Sequence, residues 1–188
     1  FVSRYYGTQA FAEFSSGCFC IPIVGMVAAS VKNVLLPLFS KADAERNMSS
    51  AVLSYNNAVK KTATIIMPML FFCLFFAGDV MVVLFGGQYS VSQGYLRLYI
   101  IRDFLQIFPY FSVLMALGYS RLYMDMHVVG ALAIWTVDFL LVRFFVPPPS
   151  IVFVSSLFHL SCSITAFIFI FKKTHISLVP GQVLRYVG

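Results

Sequence analysis

Charged residues are scarce in this sequence. Only 11% of its 188 residues are Asp, Glu, Lys or Arg, and 60% are hydrophobic. Soluble domains carry about 25% charged and about 45–50% apolar residues, so a soluble domain of this length would lack the polar surface it needs. The composition therefore excludes an ordinary soluble protein and favours a chain whose solvent is lipid.

Groups of residues typical of catalysis or metal binding are also lacking. The chain has only three His, and its four cysteines (Cys18, Cys20, Cys73 and Cys162) lie in apolar stretches without the paired spacing of a zinc site. We interpret them as buried free thiols. No nucleophile elbow, no phosphate-binding glycine loop and no paired carboxylates near a polar connector are found. We therefore expect no enzyme, no metal and no cofactor.

What the sequence does contain is recurring runs of about twenty apolar residues, each long enough to cross a hydrocarbon core about 30 Å thick. The predicted spans lie near residues 12–38, 63–84, 95–118, 127–146 and 151–171. The first is overlong, and four residues offer places for it to bend or break: Gly17, Pro22, Gly25 and Pro37. The pattern predicts an all-α, polytopic bundle that forms a single domain over residues 1–188.

The connector between the first two spans has a helical pattern of its own. Apolar side chains recur at spacings of three and four between polar ones, at Ala44, Met48, Val52, Tyr55 and Val59. We predict a cytoplasmic helix near residues 41–61 that lies on the membrane surface. The later connectors, GGQYSVSQG at 86–94 and the proline run before Ser150, read as short caps between antiparallel helices.

Lysine and arginine are distributed unevenly among the connectors, and basic residues near span ends are retained on the cytoplasmic side. With residue 1 outside, the outer segments hold Arg4 alone. The inner segments hold Lys41, Arg46, Lys60, Lys61, Arg121, Lys172, Lys173 and Arg185. Because these cations are spread between spans and not along one stripe, we read the net charge of +6 as topology and expect no nucleic-acid partner.

Charges inside the spans are the most informative residues, because a charge at the bilayer centre costs about 2.5–3.5 kcal/mol on insertion scales. Lys32 lies about two thirds of the way along the first span. Its side chain either lines a polar cavity or extends towards the inner membrane surface. Both interpretations remain open.

The third span carries a polar cluster that does not suit a lipid-facing surface. Arg102 and Asp103 lie some eight residues into the span, Arg97 lies near its outer boundary, and Gln106 shares a helical face with both central charges. The cluster either contacts substrate or conformational partners, or forms a buried pairing that locks two helices together.

The fourth and fifth spans carry further polar residues. Asp138 and Arg143 are five residues apart, which is unfavourable for a mutual ion pair on one helix, so each is expected to find a partner elsewhere. We place Asp138 near mid-membrane and Arg143 within reach of the outer interface. His159, in the fifth span, is more often a hydrogen-bonded core residue than a proton relay.

Three stretches of the chain resemble the polysaccharide flippases of the multidrug/oligosaccharidyl-lipid/polysaccharide exporter superfamily. The first is VKNVLLPLFS, from Val31 to Ser40, which follows a small-residue helix. The second is a helix that opens with Pro68 and closes with LFGGQY, from Leu84 to Tyr89. The third is the polar-studded run from Tyr95 to Tyr99. The resemblance covers most of the chain and is strongest over residues 5–120.

The resemblance implies a transporter of twelve to fourteen helices, in which these five spans are about the eighth to twelfth. We expect a C-terminal-half fragment, because the chain opens on Phe1 without a signal peptide and its end, SLVPGQVLRYVG, reads as a further segment cut short. The resemblance also implies a bacterial inner membrane, membrane lipids as surroundings and alternating access.

The implied substrate is a polyprenyl-pyrophosphate-linked oligosaccharide of the O-antigen or lipopolysaccharide type. By residue type and depth, the candidates for its path are Lys32, Arg97, Arg102, Asp103, Asp138 and Arg143. A coupling ion is not specified.

Three alternatives remain. A cation-coupled multidrug exporter of the same superfamily would carry a dominant acidic site, whereas the intramembrane cations here slightly outnumber the acids. A membrane-bound enzyme of glycan assembly would have a large polar chamber outside the spans. A structural subunit would pair its intramembrane charges between helices without a water-accessible cavity.

Overall fold

The computed structural model describes residues 2–144 and 147–174, and these residues form helices without a strand. The α-helices are α1 (Val2–Gly17), α2 (Pro22–Ala44), α3 (Ser49–Phe75), α4 (Ala77–Phe85), α5 (Gln93–Leu105), α6 (Tyr110–Ala116), α7 (Ser120–Arg143) and α8 (Pro149–Thr174). A 3-10 helix, Gly87–Ser92, joins α4 to α5. The further segment expected near the end of the chain, with Arg185, lies outside the described residues.

Five helical segments are long and apolar enough to cross a membrane. They are Pro22–Ala44, Ser49–Phe75, Gly87–Ala116, Ser120–Arg143 and Pro149–Lys172. Large apolar side chains also lie on the outside of these helices, with Phe75 73% and Trp135 68% exposed. Such surfaces are unfavourable in water and suit lipid. The predicted all-α polytopic bundle with five spans is confirmed.

The overlong first span is divided at two of the four residues that were expected to interrupt it. α1 ends at Gly17 and α2 begins at Pro22, a residue that fits the first helical turn because its missing N–H is not needed there. A β-carbon on Gly17 would lie 2.5 Å from Cβ of Tyr95, so glycine permits α1 to approach α5 closely. Gly25 and Pro37 lie inside α2, which continues past both.

The separate surface helix predicted near residues 41–61 is not what the structure shows. Lys41 lies in the last turn of α2, which ends at Ala44. α3 begins at Ser49 and continues without interruption to Phe75. The buried side chains continue at helical spacing across the whole segment, at Ala51, Tyr55, Val59, Thr62, Ile66, Leu70 and Cys73. Because no glycine or proline falls between Ser49 and Met67, nothing stops the helix where the spans were expected to begin.

The second and third predicted spans are each divided. α3 gives way to α4 at Phe76, and α5 ends at Leu105, four residues before Pro109. Pro109 precedes the first residue of α6 with φ −80° and ψ 54°, which is not helical. Gln106 therefore lies in the turn after α5 and not on a helical face shared with Arg102, because the helix has already ended.

The chain divides into two compact units. Unit 1 comprises the described parts of Phe1–Ile21, Met67–Leu105 and Val129–Leu160. Unit 2 comprises the described parts of Pro22–Ile66, Gln106–Val128 and Ser161–Gly188. Within unit 1, α1, α4, α5 and the 3-10 helix pack together, and within unit 2, α2 packs against α6. Each unit has aromatic edge-to-face contacts of its own, such as Phe14 with Tyr95 in unit 1 and Phe39 with Tyr55 in unit 2.

Candidate functional site

A cavity of about 320 Å³ lies within unit 1. Its walls come from the end of α1, from α5, from the second half of α7 and from the first turns of α8. The polar lining residues are Cys18, Tyr99, Arg102, Asp138, Ser155 and Ser156, and the apolar ones are Phe14, Ile134, Ile151 and Val152. Two charges of opposite sign therefore line a space bounded by apolar helices.

Arg102 lies on the α5 wall of the cavity and is partly buried. Its guanidinium carbon is 5.4 Å from the centre of the Tyr99 ring, one helical turn earlier. This distance is within the range of a cation–π contact, which holds the cation beside the aromatic face. The five N–H donors of a guanidinium lie in the plane of the group. The aromatic contact therefore leaves them available to a ligand.

Asp138 lies on the α7 wall and is only 8% exposed. Its Oδ1 atom is buried and has no hydrogen-bond partner among the described residues. Leaving such an acceptor unsatisfied costs about 1–3 kcal/mol, and more for a charged group. The residue lies five positions before the end of α7, or about 7.5 Å along the helix axis, and its position near mid-membrane stays a prediction.

Two adjacent serines on α8 complete the polar lining. Ser156 is buried, and its hydroxyl donates to the Leu98 carbonyl at 3.2 Å, a bond that holds α8 against α5. Ser155 also lines the cavity, and its carbonyl lies 2.8 Å from Nδ1 of His159. The hydrogen bond of His159 within its own helix supports the interpretation of this residue as a core histidine.

Asp103 does not line this cavity although it follows Arg102 in the sequence. Its side chain is fully buried, and the Cys20 thiol donates to its Oδ1 at 3.7 Å. Successive residues on a helix point about 100° apart, so the two charges of the predicted cluster meet different surroundings. The contact to Cys20 ties α5 to the segment between α1 and α2.

Arg97 and Arg143 also lie away from the cavity. Arg97 is exposed, and its Nε donates to the Leu74 carbonyl at 3.3 Å. Leu74 belongs to the last turn of α3, where helix carbonyls lack partners within the helix and a cation is favourable. Arg143 is the last residue of α7 and is exposed. The structure thus gives Arg97 a capping contact, and the predicted position of Arg143 at the outer interface stays a prediction.

Lys32 belongs to unit 2, where it is half-buried on α2. Its backbone carbonyl accepts a hydrogen bond of 3.2 Å from the hydroxyl of Ser112 on α6. The proposed role of its ammonium group in a substrate path stays a prediction.

Several cavity residues were not expected from the sequence. Tyr99 was named only as the end of a stretch that carries the family resemblance, but it lines the cavity and contacts Arg102. Cys18 and Cys20 were both predicted to be buried thiols. Cys18 is instead half-buried in the cavity wall and Cys20 is exposed, because both lie in the non-helical segment after α1. The sequence offered two signals for this site. One is a tyrosine, Tyr99, one helical turn before the intramembrane Arg102, and the other is the serine pair at 155–156 in an apolar helix.

The cavity offers hydrogen-bonding groups of both kinds. It combines the donors of Arg102, the acceptors of Asp138 and hydroxyl groups that both donate and accept. Among the described residues, no group of three His, Cys, Asp or Glu side chains is placed to hold a metal ion.

Comparison with models of protein families gives a match. Residues 1–93 match the model of a family described as polysaccharide biosynthesis protein. These residues include two of the three stretches that carried the resemblance, and the match confirms that resemblance. No curated protein and no solved structure matches the chain significantly.

Proposed function

We propose that this chain, whose residues 1–93 match the polysaccharide biosynthesis protein family, forms part of a flippase that moves a lipid-linked oligosaccharide across a bacterial inner membrane by alternating access. The family match supports a role in polysaccharide synthesis or export. The flippase activity, the substrate and the membrane are the proposal.

The observation that carries the proposal is a polar cavity among membrane-spanning helices. A glycan that crosses a bilayer needs hydrogen-bonding partners along its path, because every sugar hydroxyl loses water there. Arg102, Asp138 and two serines offer such partners. Charged residues are costly in a span and are retained where they face a partner or a cavity, and transporters place their sites between bundled helices.

The cavity is assigned to the outer part of the path. Unit 1, which contains it, includes the 86–94 connector and Pro149–Ser150, which the distribution of lysine and arginine places outside. A cavity near the outer side is where a translocated glycan would be held before release.

The charge balance of the cavity favours a glycan over a cationic drug. An exporter of cationic drugs is expected to present an excess of carboxylates, whereas Arg102 here accompanies Asp138. Complementation in the full-length parent tests the proposal. With Arg102→Ala or Asp138→Asn, we expect surface polysaccharide to fall about tenfold or more at equal amounts of membrane protein, because each change removes a charged hydrogen-bonding group.

Two matched variants control for general effects of losing a charge. Arg4→Ala and Asp79→Asn remove the same charges from exposed positions on α1 and α4 of the same unit. Both are expected to retain polysaccharide. The lipid-linked precursor should accumulate in the two cavity variants, whereas its absence would indicate an assembly enzyme. Normal polysaccharide in both cavity variants would contradict the proposal.

A further inference from the structure

We infer that the cavity of unit 1 binds an uncharged sugar residue of the lipid-linked glycan and does not bind its pyrophosphate. This inference rests on the proposed function and assigns a part of the substrate to the site. The cationic residues of the chain would otherwise suggest a phosphate site, because arginine is the usual partner of phosphate groups.

The charge of the cavity lining opposes a phosphate site. Arg102 on α5 contributes one positive charge and Asp138 on α7 contributes one negative charge to the same space. A pyrophosphate carries at least two negative charges, and beside a carboxylate that is only 8% exposed their repulsion is screened less than in bulk water. A like charge placed against a ligand is a means by which binding sites reject it. A neutral ligand meets no such repulsion.

The hydrogen-bonding groups of the cavity are those that sugar hydroxyls satisfy. A hydroxyl donates one bond and accepts others, so neighbouring hydroxyls of one ring can donate to a carboxylate and accept from a guanidinium. Asp138 is more than nine-tenths buried, and the Oδ1 atom of its carboxylate has no partner among the described residues. A donor from a ligand would recover the free energy that the unsatisfied carboxylate costs.

The shape and the apolar lining of the cavity fit a small part of a glycan. A volume of about 320 Å³ lies at the low end of the range for ligand cavities, which is about 300–1,000 Å³. Such a space suits one or two sugar rings and not a whole lipid-linked oligosaccharide. Phe14, Tyr99 and Ile134 offer apolar surface against which the C–H face of a sugar ring can pack.

The test measures the affinity of two separate parts of the substrate by calorimetry on the full-length parent in nanodiscs of uncharged lipid. One ligand is the oligosaccharide released from its carrier, and the other is polyprenyl pyrophosphate without sugar. With Asp138→Asn, we expect the oligosaccharide to bind about tenfold more weakly, or about 1.4 kcal/mol. The affinity for polyprenyl pyrophosphate should stay within about twofold, because that group binds elsewhere.

The sign of the change distinguishes the two kinds of site. If the cavity held the pyrophosphate, Asp138→Asn would remove a repulsive charge and tighten the binding of polyprenyl pyrophosphate, and Arg102→Gln would weaken it. Either result overturns the inference, as does an unchanged affinity of the variants for both ligands. Asp79→Asn serves as the exposed control and should change neither affinity.

A second variant covers the case in which Asp138→Asn fails to fold. Ser155→Ile fills part of the cavity without changing charge and should weaken binding of the oligosaccharide alone. An equal effect of this variant on both ligands overturns the inference. A different result would contradict the proposed function itself: the unaltered parent binds neither ligand and exports no precursor. If the parent binds and exports normally but the variants contradict the sign expected here, only the sugar assignment is lost.

Discussion

Arg102 and Asp103 show how strongly the surroundings of a side chain depend on its direction. The two are neighbours in the sequence, yet Arg102 lines the cavity and Asp103 is fully buried against Cys20. Arg97, on the same helix, donates to a carbonyl at the end of α3. A cluster that appears uniform in the sequence therefore holds one cavity residue, one residue buried between segments and one helix cap.

At the same scale, Gly130 on α7 lies so close to Phe158 on α8 that a larger residue does not fit there. A β-carbon at this position would collide with the ring of Phe158. Gly130→Ala should lower the free energy of unfolding by about 1–3 kcal/mol, the usual cost of overpacking a well-packed site. Thermal unfolding in detergent measures this effect.

Gly25→Ala is the matched control for this substitution. Nothing lies within 4 Å of a β-carbon at Gly25, which is also inside a helix. There alanine should leave stability unchanged or raise it by up to about 1 kcal/mol, because alanine favours helix. Equal effects at the two glycines would show that contact with Phe158 does not decide the outcome.

At the scale of elements, breaks in the helices place the cavity walls. The break after Gly17 brings Cys18 into the wall, and the end of α5 at Leu105 stops that helix one turn after Arg102. Such interruptions are tolerated in membrane helices where the freed backbone groups find other partners. Both breaks therefore lie close to cavity residues, whereas α7 and α8 contribute theirs without interruption.

The packing of α6 against α2 can be tested at one hydrogen bond. Ser112 is 2% exposed, and its hydroxyl donates to the Lys32 carbonyl at 3.2 Å. Ser112→Ala should lower stability by about 0.5–1.5 kcal/mol, because one net hydrogen bond between elements is lost. The melting temperature in detergent, compared with the unaltered protein, reports the change.

Ser30 supplies the comparison for this bond. Ser30 is exposed, and its hydroxyl donates to the Met26 carbonyl of the same helix at 2.9 Å. Ser30→Ala should leave the melting temperature nearly unchanged, since no contact between elements is broken. A loss of stability at Ser30 as large as that at Ser112 would argue against the contact between α2 and α6.

At the scale of the whole molecule, the distribution of basic residues predicts which connectors face the cytoplasm. Gln88, in the 3-10 helix, should be outside, and Asn47, in the turn between α2 and α3, should be inside. In a variant without native cysteines, Gln88→Cys should react with an impermeant maleimide in intact cells. Asn47→Cys should react only after the membrane is permeabilised, and the reverse pattern would invert the topology.

The amino-acid sequence by itself determined the fold class, the number of spans and the family resemblance. These follow from long apolar runs and local motifs, because a segment in lipid must satisfy its own backbone as a helix whatever it packs against. It also indicated that the first span would be interrupted near Gly17 and Pro22. Arg102 and Asp138 were identified individually, because a charge among apolar residues is visible in the sequence.

Only the tertiary structure decided which of those residues come together. It brought Arg102 and Asp138 into one cavity with Tyr99 and the Ser155–Ser156 pair, and it placed Arg97 outside that cavity. It also joined the predicted surface helix to the second span as α3. The physical reason is that helix periodicity is a local property, whereas the side chains that face each other depend on helix breaks and on contacts between distant segments. Those contacts cannot be read from the spacing of residues along the chain.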